Sequence, residues 1–191
     1  MSRWMPDAAG RLSRAAQELY AERGFEQTTV AEIAERAGLT KRTFFRHFPD
    51  KREVVFPLSD RIHQVIVDAM AAAPADLSPI AVVVEGYGAA ADMLNMGHAA
   101  TRRRRDIIAA NPELRERELT KFAKTSAIVA EALCERGVAP RSAFLAAAAG
   151  AAAWRAARDA WIEDSEVRDL RALLHECVEE LRAVVAAPLA P

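Results

Sequence analysis

The stretch Thr28–Lys51, TTVAEIAERAGLTKRTFFRHFPDK, constrains the fold more than any other part of the chain. Thr29 is followed three residues later by Glu32. At that spacing a hydroxyl and a carboxylate can satisfy two of the orphan N–H groups of a helix start. Val30, Ile33, Ala34 and Ala37 then recur at helical spacing and form an apolar stripe. Gly38 suits the left-handed conformation that ends a helix without a Cβ penalty. Thr40 is placed to cap a second helix over Lys41–His47. A helix, a short glycine turn and a second helix make the helix-turn-helix pattern. The second helix is too short to be a core element alone. Phe44 and Phe48, four residues apart, can anchor it. Lys41, Arg42, Thr43, Arg46 and His47 remain for phosphate or base-edge contacts.

The rest of the chain reads as helical too. Of its 191 residues 51% are apolar but only 6% aromatic, and alanine runs are frequent, which favours close-packed helices over sheets. The formal net charge is −1, so affinity for a polyanion has to come from a local patch. Lys41, Arg42, Arg46, Lys51 and Arg52, against Asp50, make such a patch. Cys134 and Cys177 lie far apart and fit neither a disulfide framework nor a zinc pattern; both read as small buried residues in a reducing compartment. No apolar run reaches the roughly 18–20 residues of a membrane span, and no signal-peptide core follows Met1. A cytoplasmic location is expected.

The string from Thr29 to Lys51 resembles the TetR family of bacterial transcriptional regulators. The residues that carry the resemblance are Thr29, Val30, Ile33, Ala34, Ala37, Gly38, Leu39, Thr40, Thr43, Phe44, Phe45, His47, Phe48 and Lys51. Phe45 stands where the family usually has a tyrosine that reaches a DNA phosphate, so that hydroxyl contact is missing. The Phe-Phe-Arg-His-Phe run is similar to a subgroup of regulators associated with mycofactocin-type redox gene clusters. The resemblance implies an all-α homodimer of about nine helices that binds double-stranded DNA at a palindromic operator. It further implies a repressor that a small-molecule effector releases. The expected division is a DNA-binding domain over residues 1–49, a linking helix over 50–73, and a ligand-binding and dimerisation domain over 74–191. Thr29, Thr40, Lys41, Arg42, Thr43, Phe45, Arg46, His47 and Lys51 are the expected DNA-binding residues.

In chain order, Met1–Pro6 reads as a loose arm, a disordered terminus rather than one whose Arg3 touches a phosphate or a minor groove. Asp7 caps a first helix to Arg23, stopped by Gly24, with Leu12, Ala15, Ala16, Leu19 and Tyr20 as its inner stripe. Asp50 and Glu53 form a second capping box, opening a helix to about Ala72 that Pro57 must bend or break near Val54. Ser78-Pro79 opens a helix with Ile80, Val84, Tyr87, Ala91 and Leu94 on one face and Gly97 as its stop. A helix over Ala99–Ala110 carries Arg102–Arg105, a solvated face or an entry site for an anionic ligand. Asn111-Pro112 starts the seventh helix, with Leu119, Phe122, Ser126, Val129 and Leu133 as its stripe. The eighth runs from Pro140 to about Glu163. Ser165 is the expected cap of the ninth, and Pro188 marks the tail.

No Gly-rich phosphate loop, nucleophile elbow or metal-ligand spacing appears, so no cofactor, metal site or enzymatic activity is expected. Two further sites are expected beyond the DNA patch. An apolar effector cavity draws on Tyr87, Met93, Met96, Phe122, Ser126, Trp154 and Arg158, long or aromatic side chains with a few polar handles. Asn95, His98 and Arg158 would need partners if they faced inward. An apolar cavity with a charged rim suits an acyl or aromatic acid, and the subgroup resemblance adds acyl-CoA to the effector classes. A dimer interface is expected at the small-residue face around Gly150 and along the seam of Val167, Leu170, Leu174, Leu181 and Val184. The contrasting expectation is a helical ligand-binding or protein-interaction module with no role on DNA, and salt-dependent duplex binding separates the two.

Overall fold

In the computed structural model the described residues are 7–95 and 97–186, so Arg3, Met96 and Pro188 lie outside them. Among the described residues there are nine α-helices and no strand: α1 (Ala8–Arg23), α2 (Val30–Arg36), α3 (Lys41–His47), α4 (Ser59–Ala72), α5 (Pro79–Asn95), α6 (His98–Ala110), α7 (Pro112–Glu135), α8 (Pro140–Glu163) and α9 (Leu170–Ala186). A single 3-10 turn spans Glu53–Val55. The helices form two compact units. One comprises residues up to Asp60 together with Arg103–Leu119; the other comprises Arg61–Arg102 and the chain from Thr120 onward.

The first unit is built on the helix-turn-helix. Asp7 accepts a hydrogen bond from the Gly10 N–H, and the expected stripe of α1 is buried throughout. Gly38 has φ +64° and makes the turn between α2 and α3. Phe44 and Phe48 are both buried, which fixes the short α3 against α1 and α2. Burying each phenylalanine contributes roughly 1.5–3 kcal/mol, enough to hold a helix that would not form in isolation. Asp50 accepts the N–H groups of Arg52 at 2.7 Å and Glu53 at 3.2 Å, as a cap should. It opens only the 3-10 turn, however, and α4 starts afresh at Ser59. Pro57 lacks the N–H a continuous helix needs there. In addition, Val54, Val55 and Phe56 are all buried, and three consecutive residues cannot share one face of an α-helix. Ile107, Ile108 and Leu114, from the end of α6 and the start of α7, complete this core. Division by sequence order at residues 49 and 73 does not include that piece.

The second unit packs around α5. The expected Val84, Tyr87 and Ala91 are buried, but so are Val82, Val83 and Ala90, so α5 is covered on several sides rather than amphipathic. On α7, Val129 and Leu133 are buried and Phe122 is half-buried, while Leu119 is 56% exposed and leaves the stripe. Arg136, just past α7, donates to the carbonyls of Met70 and Pro74, each at 2.9 Å, and so fixes the end of α4 and the start of the Ala73–Leu77 linker. α8 has the expected bounds. At Gly150 a Cβ would lie 2.3 Å from Val83 Cγ1, so α5 and α8 approach closely there because no side chain intervenes.

The ninth helix departs from expectation. It begins at Leu170, not after Ser165. The Asp169 carboxylate accepts the Ala172 N–H at 2.9 Å, and the Asn95 side-chain oxygen accepts the Leu170 N–H at 3.0 Å. A partner on α5 thus helps set the start of α9, which local sequence cannot reveal. Val167 lies before the helix, exposed, with φ +52°.

Candidate functional site

The helix-turn-helix residues come together as expected. Thr29 donates to the Glu32 carboxylate at 2.7 Å, the same carboxylate accepts the Thr29 N–H at 2.8 Å, and Glu32 N–H returns a bond to the Thr29 hydroxyl. These bonds, led by the Thr29 N–H, hold the Glu32 carboxyl below the usual carboxylate range. Thr40 caps α3 by accepting the Thr43 N–H, and the two hydroxyls lie 3.0 Å apart. Lys41, Arg42, Arg46 and His47 are exposed and Thr43 is half-buried. Phe45 is 56% exposed, with its ring edge-on to buried Phe44. One short helix therefore presents three cations and an apolar ring to solvent from an anchored base. That combination suits the polyanionic, methyl-bearing surface of a DNA groove.

The supports of this helix were not visible in the sequence. Arg36 makes a two-pronged pair with Glu22 at 2.8 and 2.9 Å and reaches Glu18 at 3.4 Å, tying α2 to α1. The hydrogen bond from Arg36 holds the Glu22 carboxyl down. Arg11 donates to the Ala37 carbonyl at the turn. Tyr20 donates its hydroxyl to the Lys51 carbonyl at 2.6 Å; burial, with Asp50 adding to it, pushes this phenol well above its ordinary value. Each pair joins residues far apart in sequence, and the only local signal is the i, i+4 repeat of Glu18 and Glu22. Lys51 is placed differently from expectation. Its ammonium donates to the carbonyls of Phe25 at 2.9 Å, Glu26 at 3.3 Å and Thr28 at 3.4 Å, and sits 4.2 Å over the Phe25 ring. A phosphate would have to compete with those three carbonyls for the same protons. Arg102 and Arg103 are exposed, Arg104 lies 5.7 Å over the Phe56 ring, and Arg105 pairs with Asp106.

In the second unit the structure gathers part of the expected cavity set. Tyr87 and Trp154 are buried and stacked, with ring centroids 5.4 Å apart. Arg158, one turn on from Trp154, is buried with its guanidinium 4.7 Å over half-buried Phe122. Met93 and Ser126 are half-buried. Met96 is outside the described residues. Asn95 and His98 have partners within the unit: Asn95 donates to Asp169 at 2.7 Å, and His98 Nε2 lies 2.9 Å from the Trp161 carbonyl. They are structural polar groups rather than handles in need of a ligand.

The expected interface residues divide. Gly150, Leu170 and Leu174 are buried within one chain, Leu181 is half-buried, and Val167 is exposed outside the helix. What α8 leaves on its surface is a different register. Ala148, Ala152, Ala156 and Ala160 are all exposed at four-residue spacing, continuing from exposed Phe144. At the far end of α9, Val184 and Val185 are each 73% exposed.

Comparison with known proteins places these features in a family. Residues 12–57 match the model for bacterial regulatory proteins of the tetR family, and residues 77–186 match that for the MftR C-terminal domain. The regulator TcmR of Streptomyces glaucescens is 40% identical over 70 residues, a match covering 37% of this chain and 31% of TcmR. The chain thus spans about a third of that relative's length. FadR of Thermus thermophilus, a TetR-family repressor solved with lauroyl-CoA, superposes with TM-score 0.56 and 22% identity over 96% of this chain and 97% of its own. SmeT, the repressor of a Stenotrophomonas maltophilia efflux pump, was solved with triclosan. That complex superposes with TM-score 0.61 and 19% identity over 96% of this chain and 99% of its own. At those identities the likeness is one of fold. No helix among the described residues is long and apolar enough to cross a membrane. The chain belongs to the TetR family, a family of DNA-binding transcriptional regulators rather than enzymes, and carries a C-terminal domain of the MftR type.

Proposed function

We propose that the protein is a ligand-responsive repressor that binds a palindromic operator as a homodimer and releases it when a small-molecule effector occupies the second unit. The observation that carries this reading is α3: Lys41, Arg42 and Arg46 exposed on a helix held by buried Phe44 and Phe48. Lys41, Arg42 and Thr43 read base edges with Arg46 beside them, and Thr29, Thr40 and His47 position the backbone. Phe45 supplies apolar contact in place of a tyrosine hydroxyl. Residues 1–49 read DNA, 50–73 link, and 74–191 bind effector and dimerise.

The aromatic pair Tyr87–Trp154 and the buried Arg158–Phe122 contact favour an amphipathic effector with an acidic end, an organic acid or an acyl-CoA. Lauroyl-CoA and triclosan in the two structural neighbours support a small-molecule site in this fold. The exposed alanine row of α8 and Val184–Val185 of α9 suit close packing against a second copy. A two-fold dimer sets its recognition helices about 34 Å apart, or a multiple of one helical turn. Selection from a random duplex library, followed by titration across salt concentrations, tests the core of the reading. An enriched palindrome whose affinity falls steeply with salt is expected. Recovery of no palindrome, with binding indifferent to salt, would sink it.

A further inference from the structure

We propose that Phe45 determines sequence specificity: its ring reads the C5 methyl group of one thymine in each half-site, within about two base pairs of the base read by Arg42. The proposal rests on the repressor reading above, which lays α3 in a major groove, and adds the base that this side chain selects.

Phe45 stands apart from the other phenylalanines of its helix. Phe44 is wholly buried and Phe48 nearly so, and together they anchor α3. Phe45 is 56% exposed and is not needed for that anchoring. Its ring is nevertheless held. It sits edge-on to Phe44, with centroids 5.5 Å apart and planes at 79°, and Phe44 packs in turn on Phe48 at 5.7 Å. A large apolar surface kept in water is unfavourable by itself. A ring already ordered by its neighbour loses little freedom when a partner covers it.

The charges around the ring say what that partner is. Lys41 and Arg42 lie four and three residues before Phe45, so they share its side of α3, and Arg46 follows it directly. Among the described residues, no side-chain hydrogen bond or ion pair engages Lys41, Arg42 or Arg46. Arginines on the flanking elements are paired: Arg23 with Glu32, Arg36 with Glu22 and Arg52 with Asp50. An ordered apolar ring among three unengaged cations fits a polyanion that carries an apolar group of its own. On the major-groove edges of DNA that group is the thymine methyl, and phosphates and base acceptors lie around it. A phenyl ring has no polar atom with which to read anything else there. Residues three or four apart on a helix have Cβ atoms about 5–6 Å apart, and successive base pairs rise about 3.4 Å. The methyl therefore lies about one or two base pairs from the base that Arg42 contacts.

The test replaces each thymine of the selected operator in turn by deoxyuridine, which deletes the methyl and keeps every base-pairing hydrogen bond. Affinities of the full chain are measured by fluorescence anisotropy at one salt concentration. One thymine per half-site is expected to be sensitive, near the position where Arg42→Ala relaxes specificity. Its replacement should weaken binding roughly fourfold per half-site, the value of one buried methyl. Phe45→Ala should bind the thymine and deoxyuridine operators equally, and Phe45→Leu should keep part of the difference, because it retains an apolar contact. The double comparison separates the ring–methyl contact from any effect of deoxyuridine on the duplex itself. No sensitive thymine, a sensitivity that Phe45→Ala leaves intact, or one far from the Arg42 position overturns the assignment. The repressor reading survives each of those results, since the palindrome is still bound with steep salt dependence. If selection recovers no operator at all, the repressor reading fails and this assignment falls with it.

Discussion

Lys51→Met separates two roles for one residue. Methionine keeps most of the aliphatic stem over Phe25 and removes only the ammonium. That ammonium makes one short bond, to the Phe25 carbonyl at 2.9 Å, two longer ones at 3.3 and 3.4 Å, and a cation–π contact at 4.2 Å. A hydrogen bond to a charged group contributes about 1.5–3 kcal/mol and an exposed cation–π contact about 0.5–1 kcal/mol. Lys51 is only half-buried, so water can replace part of this, and the two longer bonds add little. A net loss of about 2 kcal/mol is expected, or roughly 4–8 °C in melting temperature for a chain of this size. Were Lys51 instead a phosphate contact, its removal would leave stability untouched and lower the salt slope of DNA binding by about one unit. Thermal unfolding followed by circular dichroism, together with mobility-shift titrations at several salt concentrations, gives both quantities on one preparation. A Lys51→Met protein that melts with the wild type and has a flatter salt slope would refute the staple.

Other substitutions probe the remaining elements. Arg42→Ala should cost about 1–3 kcal/mol of operator binding and relax specificity at one base pair, measured by competition among single-base operator variants. Gly150→Ala gains about 1 kcal/mol of helix propensity but drives a methyl to within 2.3 Å of Val83 Cγ1, so a net loss of about 1 kcal/mol in urea unfolding is expected. Val83→Ala in the same chain should recover part of it, and strictly additive effects would argue against the contact. Ala152→Arg places a long charged side chain in the exposed row of α8 and should yield monomers in sedimentation with unchanged helicity; persistence of the dimer would move the interface elsewhere. Glu22, held down by Arg36, and Glu32, held down by Thr29, both have folded pKa values below the ordinary 4.5. Their contribution is present above that pH and is lost as pH falls through the lowered values, so the urea midpoint should drop below about pH 4.5. A midpoint that stays level to pH 3 contradicts this.

Much of the fold was legible because it is written in local chemistry. The Thr29–Glu32 capping box, the Thr40 cap, the Gly38 turn and the Pro79 and Pro140 starts each act over three or four residues, and each is present where spacing placed it. The start of α9 was legible only in part, because its local cap is Asp169, which accepts the Ala172 N–H, and not Ser165. Ser165 is a plausible cap by type, but Asn95, some seventy positions earlier, helps hold the first turn of the helix at Leu170. The role of Gly150 was likewise ambiguous. A small residue announces that something comes close, but not whether it is another helix of the same chain or a second copy. The facing Val83 identifies α5.

By itself, then, the sequence determined the helical class, the helix-turn-helix and the family. These depend on caps, periodicity and a contiguous string of residues. Only the tertiary structure decided that the end of α6 and the start of α7 complete the first core, that Lys51 turns inward to three carbonyls, and that Trp161 is buried without an acceptor. The reason is physical. Periodicity tells which face of a helix avoids water, but an apolar face can be covered by many partners, and a charged or polar side chain takes its role from whatever atoms the fold brings within about 3 Å of it.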